Sequence, residues 1–115
     1  MKPGIQTLTT IETSFAAARK LNGGKDRIDG HNYQLRVTVA GNGPETLDVL
    51  EAGIRERVLS ELDHIMLDER LPRTDPGSVA EWIWSRLEPG IGGLYEIRLQ
   101  EKRGQWVTVS RLKDG

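Results

Sequence analysis

Two histidines and a few carboxylates carry most of the chemistry open to this sequence. His31 follows Gly30 at the start of a predicted strand, where an imidazole suits contact with a ligand, although a histidine there is more often a hydrogen-bonded structural residue. Asp63 and His64 end a predicted helix, where the helix dipole stabilises a protonated imidazole and the aspartate can orient it. The pair suits general acid–base catalysis, and equally a plain cap of the helix.

Glu101 follows a predicted strand in which Tyr95, Ile97 and Leu99 should share one face with it. A carboxylate on such a row needs a partner, because an unpaired buried charge is costly. A ligand with two adjacent N–H donors would match its two oxygens. A register different by one residue would instead place Glu101 in solvent.

Four basic residues bracket the loop between the first two predicted strands: Arg19, Lys20, Lys25 and Arg27. They are either a solvated run of charge or an anion-binding pocket, because guanidinium and ammonium groups recognise phosphate and carboxylate. Like charges nearby would lower the pKa of Lys25 and make it a usable base, whereas exposure to solvent would keep it protonated.

Composition narrows the classes of function. The chain has 115 residues, and we expect one domain over residues 1–115. Its 16 Lys and Arg nearly balance 17 Asp and Glu, so neither nucleic acid nor a membrane is an expected partner. The absence of cysteine excludes disulfides, thiolate metal ligands and thiol nucleophiles. With no apolar signal segment and no run near about 18 apolar residues, we expect a cytoplasmic protein.

The elements that must position these residues follow from hydrophobic periodicity. Apolar residues recur at helical spacing from Leu47 to Ile65, and Asp75 and Pro76 begin a second predicted helix, which Pro89 and Gly90 end. β-branched or alternating segments predict antiparallel strands over residues 5–18, 33–39, 94–102 and 106–112. The order strand, strand, helix, helix, strand, strand predicts an α+β fold, with two helices on one face of a four-stranded antiparallel sheet.

Two long open edges would remain on such a sheet. An open edge is a template for pairing with another chain, so we expect the protein to assemble into a ring or barrel.

Several segments then resemble a known family as a set: residues 15–21, 30–38, 62–68 and 82–84, together with Glu101. The most specific are the Gly-His-Asn-Tyr start of residues 30–38 and the Leu-Asp-His-x-x-Leu-Asp pattern of residues 62–68. The set resembles the 6-pyruvoyltetrahydropterin and 6-carboxytetrahydropterin synthase family. That resemblance implies the tunnelling fold, in which subunits join their sheets into a barrel, commonly as a hexamer of two trimers, with pterin sites between subunits.

The resemblance also implies roles for individual residues. The family binds zinc through one histidine of the first strand and two of the second, and at these positions the chain has Arg19, Asp29 and His31. The position of the family's catalytic cysteine is Lys25. Asp63 and His64 match the catalytic pair, and Glu101 matches the glutamate that anchors the pterin ring. We therefore expect no metal or other cofactor, and an ion pair between Arg19 and Asp29 where zinc would lie.

Three functions are compatible with this pattern. The first is a zinc-independent lyase or aldolase acting on the side chain of a reduced pterin, such as a 7,8-dihydroneopterin derivative. Glu101 would bind the ring, Asp63, His64 and Lys25 would act in catalysis, and Arg19, His31 and Arg27 would contact the substrate. The second is a pterin-binding scaffold without activity. The third is a residual synthase that holds zinc through Asp29, His31 and a further ligand.

Overall fold

Two long antiparallel strands form the centre of the fold. The computed structural model describes residues 4–21, 27–41 and 44–112, and in it β1 (Leu8–Lys20) pairs with β2 (Ile28–Ala40) over their full length. Along β2, Tyr33, Leu35 and Val37 are buried and the residues between them are more exposed, which is the alternation expected of a strand with one face on the core. The second strand begins five residues earlier than the sequence pattern predicts.

The first predicted helix is a continuous helical segment of three parts. They are α1 (Pro44–Ile54), a π-helical turn (Arg55–Leu59) and α2 (Ser60–Leu62). Its buried side is formed by Leu50, Ile54, Val58 and Leu62, which recur every four residues. The predicted end of the helix near Asp63 and His64 is confirmed. The expectation that Leu47 and Ile65 belong to the buried side is wrong, because Leu47 is exposed and Ile65 lies beyond the helix in a strand.

The second predicted helix is confirmed as α3 (Pro76–Leu87). Asp75 caps it, since its carboxylate accepts hydrogen bonds from the Ser78 backbone N–H at 3.1 Å and from the Ser78 hydroxyl at 2.8 Å. Val79, Ile83 and Leu87 pack its apolar side onto the core, and a short 3₁₀ turn (Glu88–Gly90) follows at the predicted end.

Over the described residues the sheet has five strands in the order β3-β1-β2-β4-β5, one more than expected. β4 (Leu94–Gln100) and β5 (Trp106–Ser110) complete the antiparallel part, and the additional strand β3 (Ile65–Met66) runs parallel to β1 beside residues 17 and 18. A strand of two residues has too few side chains to show a period in the sequence. The predicted α+β class is confirmed.

A β-bulge changes the face that one residue of β4 presents. Thr38 pairs with Glu96, but the next residue, Val39, pairs with Leu94, so Tyr95 is an extra residue in the ladder. Leu94 is buried and Tyr95 is 36 % exposed. The expectation that Tyr95 shares the buried row is therefore wrong, whereas Ile97, Leu99 and Glu101 do occupy it.

The buried apolar residues that the structure describes form one hydrophobic cluster between the sheet and the helices. Near one end of the sheet, the rings of Phe15 and Tyr33 stack with centroids 4.9 Å apart and planes inclined by 5°. Within the described part of the chain, no helix combines the length and apolar character needed to span a membrane.

Candidate functional site

Five polar side chains lie together at one end of the sheet, on the face that is packed against the helices. In the ladder Arg19 is opposite Asp29, Ala17 is opposite His31, and Phe15 is opposite Tyr33. Alternate residues share a face, so the polar residues continue the row that packs against the helices. We call this the Glu101 cluster, and its members are Arg19, Asp29, His31, Tyr33 and Glu101.

Three donors of the described residues lie within hydrogen-bonding distance of Glu101. Its Oε2 accepts from Arg19 Nε at 2.5 Å and from the Tyr33 hydroxyl at 2.7 Å, and its Oε1 accepts from Arg19 Nη2 at 3.0 Å. The glutamate side chain is only 5 % exposed, so these contacts replace nearly all of its hydration. Glu101 is therefore buried and paired, and its partners Arg19 and Tyr33 belong to the same subunit.

The expected ion pair between Arg19 and Asp29 is wrong. Although the two residues are opposite each other in the ladder, the Asp29 carboxylate contacts His31 Nε2 at 2.7 Å. Asp29 keeps substantial contact with solvent, whereas Glu101 does not. The guanidinium therefore pairs with the carboxylate that would otherwise be buried without a partner, and the planar fork of arginine fits both of its oxygens.

The contacts change the acidity of the cluster. Burial alone would raise the pKa of Glu101, but hydrogen bonds from Arg19 and Tyr33 outweigh it and hold that pKa below its usual value. Burial, and then the adjacent Glu101 carboxylate, raise the pKa of Tyr33 well above its usual value. The hydrogen bond to Glu101 also raises the pKa of Arg19. Glu101 is thus an ionised acceptor and Tyr33 a neutral donor.

His31 and Asp29 form a second hydrogen-bonded pair within the cluster. The His31 ring also meets Tyr33 edge to face, with centroids 6.0 Å apart. An imidazole hydrogen-bonded to a carboxylate can hold or pass a proton, so this pair is chemically competent for acid–base work. Tyr33 was not among the site residues expected from the sequence, although its position two residues after His31 on the same face is a signal for it.

Asp63 and His64 lie where α2 meets the edge of β1. Asp63 Oδ1 accepts a hydrogen bond from the Ala16 backbone N–H at 2.9 Å, and the His64 backbone N–H donates to the Ala16 carbonyl at 2.6 Å. The His64 side chain is 80 % exposed, with its Nε2 3.5 Å from Asp63 Oδ2. Within the described residues, no hydrogen bond or ion pair joins these two side chains to the Glu101 cluster.

Asp68 has a matching structural role that the sequence analysis did not assign. Its Oδ1 accepts a hydrogen bond from the Lys20 backbone N–H at 2.8 Å, so Asp63 and Asp68 hold the edge of β1 on either side of β3. The spacing of the two aspartates in the Leu-Asp-His-x-x-Leu-Asp pattern is the signal that could have found it.

The remaining basic residues are not brought to the cluster. Lys25 lies outside the described residues. Arg27 is exposed, and its backbone carbonyl accepts a hydrogen bond from the Leu21 N–H at 3.0 Å across the neck of the loop. For the part of the chain that the structure describes, no ion pair connects the Arg27 side chain to Glu101 or Asp29.

An open groove of about 460 Å³ reaches Glu101 from the sheet face that points away from the helices. Its other lining residues are Glu12, Asn32, Gln34, Arg36, Gln100, Arg103 and Trp106. The Arg36 guanidinium lies 4.4 Å from the centre of the Trp106 ring and contacts Glu12 at 2.6 Å. The groove therefore borders Glu101, whose side chain is itself almost fully buried.

Comparison with known proteins decides the family. The family model for 6-pyruvoyl tetrahydropterin synthase matches residues 8–111, which is most of the chain. The chain belongs to this family. The resemblance inferred from residues 15–21, 30–38, 62–68 and 82–84 together with Glu101 is therefore confirmed.

Individual members of the 6-pyruvoyl tetrahydropterin synthase family are similar to this chain in sequence and in structure. A protein of Archaeoglobus fulgidus, provisionally named 6-carboxy-5,6,7,8-tetrahydropterin synthase, is 28 % identical over 108 residues, covering 88 % of this chain and 93 % of its own. The 6-pyruvoyl tetrahydropterin synthase of Caenorhabditis elegans superposes with a TM-score of 0.79 at 20 % identity, covering 97 % of this chain and all of that one. The 6-pyruvoyl tetrahydropterin synthase of Plasmodium falciparum superposes with a TM-score of 0.71 at 18 % identity, covering 92 % of this chain and 98 % of that one. The tunnelling fold is confirmed.

The zinc site that the family resemblance implies does not fit the side chains found here. Of the three aligned positions, Arg19 has no lone pair to donate and its guanidinium is held by Glu101. Asp29 and His31 remain, and they are hydrogen-bonded to each other. A catalytic zinc site needs three protein ligands with an open fourth position, so this donor set is one ligand short.

Proposed function

We propose that this protein is a zinc-independent member of the 6-pyruvoyl tetrahydropterin synthase family that binds a reduced pterin at Glu101 and acts on the pterin side chain. The observation that supports this most is the two-point contact of Glu101 with a guanidinium. The 2-amino group and N3–H of a pterin belong to a guanidine-like N–C–N unit, so they present the same pair of parallel donors. Glu101 has the charge, burial and orientation to accept them.

The surroundings of Glu101 support binding of a flat heterocycle. Tyr33 donates to one carboxylate oxygen and is itself fixed by stacking on Phe15, so the acceptor is held in one orientation. The groove leads from solvent to Glu101, with the amides of Asn32, Gln34 and Gln100 in its wall. These amides can both donate and accept hydrogen bonds, as the remaining polar atoms of a pterin would require.

A retro-aldol or related lyase step needs a proton acceptor and a stabilised anion. The base takes the proton of a side-chain hydroxyl, a carbonyl forms as the carbon–carbon bond breaks, and the electron pair passes into the imine of the dihydropterin ring, which is then protonated. His64 with Asp63, and Lys25, are our candidates for these proton transfers. His31 and Arg27 are candidates for contact with the substrate's oxygen or phosphate groups.

A second function, pterin binding without catalysis, is favoured by one observation. The His64 imidazole is mostly exposed in the single chain, and Asp63 is used to fasten α2 to β1, so the pair can be explained by a structural role alone. In this alternative the ring site at Glu101 remains and the chemistry is lost.

Incubation with 7,8-dihydroneopterin, its phosphates and pyruvoyl-type tetrahydropterin intermediates, followed by mass spectrometry, tests both functions. We expect turnover of one of them, loss of binding in Glu101→Gln, and loss of turnover with retained binding in His64→Ala. Glu88→Gln is the control, since Glu88 forms an exposed ion pair with Arg111 outside the groove. Binding without turnover of any compound would support the scaffold, and absence of binding would overturn the proposal.

A further inference from the structure

We propose that Arg19 is a built-in competitor for the pterin site, which occupies Glu101 until a ligand with the same pair of N–H donors displaces it. This inference rests on the proposed function and adds a determinant of affinity and specificity. In the structure both oxygens of Glu101 are taken, one by Arg19 Nη2 and the other by Arg19 Nε and Tyr33. A pterin edge cannot make its two hydrogen bonds to this carboxylate while the guanidinium remains.

The competitor resembles the ligand in the part that Glu101 recognises. An arginine fork and the amino-pyrimidinone edge of a pterin both place two N–H groups on neighbouring nitrogens of one carbon. A ligand with a single donor would exchange two charge-assisted hydrogen bonds for one, and it would bind poorly. Competition by Arg19 therefore selects ligands that present a two-donor edge.

Displacement of Arg19 requires only side-chain rotation. The adjacent backbone is held by the Lys20 N–H bond to Asp68 and by pairing with β2, so β1 stays in place. The Arg19 side chain is 19 % exposed and lies near the end of its strand, which leaves a way out to solvent. Tyr33 is fully buried and keeps its hydrogen bond to Glu101, so the carboxylate remains oriented for the incoming ligand.

Because Arg19 competes for Glu101, the natural protein should have a lower apparent affinity for a two-donor ligand than a protein without this guanidinium. If the site is open in only a fraction of molecules, the apparent dissociation constant rises by the inverse of that fraction. Removing the guanidinium should therefore tighten binding of a two-donor ligand, even though Arg19 lies within the site. A residue that contacts the ligand favourably would give the opposite result.

The experiment compares Arg19→Ala with the natural protein, using 7,8-dihydroneopterin and methylguanidinium as probes. We expect Arg19→Ala to bind 7,8-dihydroneopterin at least tenfold more tightly in calorimetry. Millimolar methylguanidinium should raise the melting temperature of Arg19→Ala alone, because it refills the vacated place. Adding Glu101→Gln should abolish both effects. Arg111→Ala, which removes an arginine from an exposed ion pair, is the matched control.

The outcomes separate this inference from the proposed function. Equal affinity of Arg19→Ala and the natural protein for 7,8-dihydroneopterin would overturn the competitor and leave the pterin site standing. Binding of methylguanidinium but not of the pterin to Arg19→Ala would support Arg19 as the occupant of a two-donor site and contradict pterin as its ligand. Failure of folded Arg19→Ala to respond to either probe would overturn the inference.

A measurement on the natural protein covers the case in which Arg19→Ala does not fold. The Nε–H of an arginine held in an ion pair gives a resolved NMR signal, which Arg19→Lys identifies by its loss. We expect saturation with 7,8-dihydroneopterin to shift or broaden this signal as the guanidinium leaves Glu101. An unchanged Arg19 signal in the saturated protein would overturn displacement.

Discussion

The guanidinium of Arg19 contacts both carboxylate oxygens of Glu101, at 2.5 Å and 3.0 Å, across 82 positions of sequence. This ion pair joins the end of the first strand to the residue that follows β4, and the hydroxyl of Tyr33 completes it. It lies where family resemblance places both a zinc ligand and the ring-binding glutamate. The contact therefore joins two positions to which the family resemblance assigns different roles.

The ion pair should contribute measurably to stability. We expect Glu101→Gln to lower the free energy of unfolding by about 1–3 kcal/mol, less than a fully buried pair because Arg19 retains some contact with water. Glu88→Gln, which alters an exposed pair, should cost less than about 1 kcal/mol. Urea denaturation at one protein concentration measures both. Equal losses would show that burial of the Arg19–Glu101 pair has no energetic consequence.

Stability should also fall in acid because of Glu101. Its pKa lies below the usual value of 4.5 in the folded protein, so below that pH the unfolded chain binds the proton more readily. The stabilisation that ionised Glu101 gives the folded protein is fully present above about pH 4.5, and it is lost as the pH falls through the pKa of Glu101 in the folded protein. Acid titration of the unfolding free energy should show a steeper loss for the natural protein than for Glu101→Gln. Parallel curves would contradict the lowered pKa.

The purified protein should contain no stoichiometric zinc. Asp29 and His31 are the only lone-pair donors at the three aligned positions, and the positive charge of Arg19 disfavours a divalent cation there. We expect Arg19→His to increase zinc affinity, because it adds a nitrogen donor opposite Asp29 and on the same face as His31. Elemental analysis after dialysis against a weak chelator measures this. About one zinc per subunit in the natural protein would favour the residual synthase instead.

His64 adopts a backbone conformation that favours glycine. Its φ is 63°, in the left-handed region, where a β-carbon clashes with the following carbonyl. We expect His64→Gly to raise the free energy of unfolding by up to about 1 kcal/mol, and His64→Ala to give no gain because it keeps the β-carbon. Both variants lack the imidazole, so any activity that needs it is lost in each. Equal stability of the two variants would contradict backbone strain at this position.

We expect the protein to form an assembly larger than a dimer, with a hexamer of two trimers as the arrangement that family resemblance implies. β5 is the last strand on one side of the sheet, and β3 covers β1 only beside residues 17 and 18. Pairing between subunits would satisfy the outer backbone groups of these strands. Sedimentation measures the mass, and hydrogen exchange should show protected amides on the outer edge of β5. A monomer at micromolar concentration would contradict the prediction.

Local patterns in the sequence determined most of the elements. Three local patterns appear in the structure, and each arises from neighbours along the chain: the alternation from Tyr33 to Val37, the four-residue spacing from Leu50 to Leu62 and the cap at Asp75. Residues 15–21, 30–38, 62–68 and 82–84, together with Glu101, indicated the family as a set, and the Gly-His-Asn-Tyr and Leu-Asp-His-x-x-Leu-Asp patterns were the most specific of them.

Tertiary structure alone decided which side chains meet. Tyr95 leaves the buried row because β4 has one extra residue opposite β2, and such an irregularity depends on the partner strand. Asp29 was the nearer partner for Arg19 in the ladder, but Glu101 is the more deeply buried carboxylate. The guanidinium pairs with Glu101 because an unpaired charge is most costly where water is excluded, and burial is a property of the whole fold.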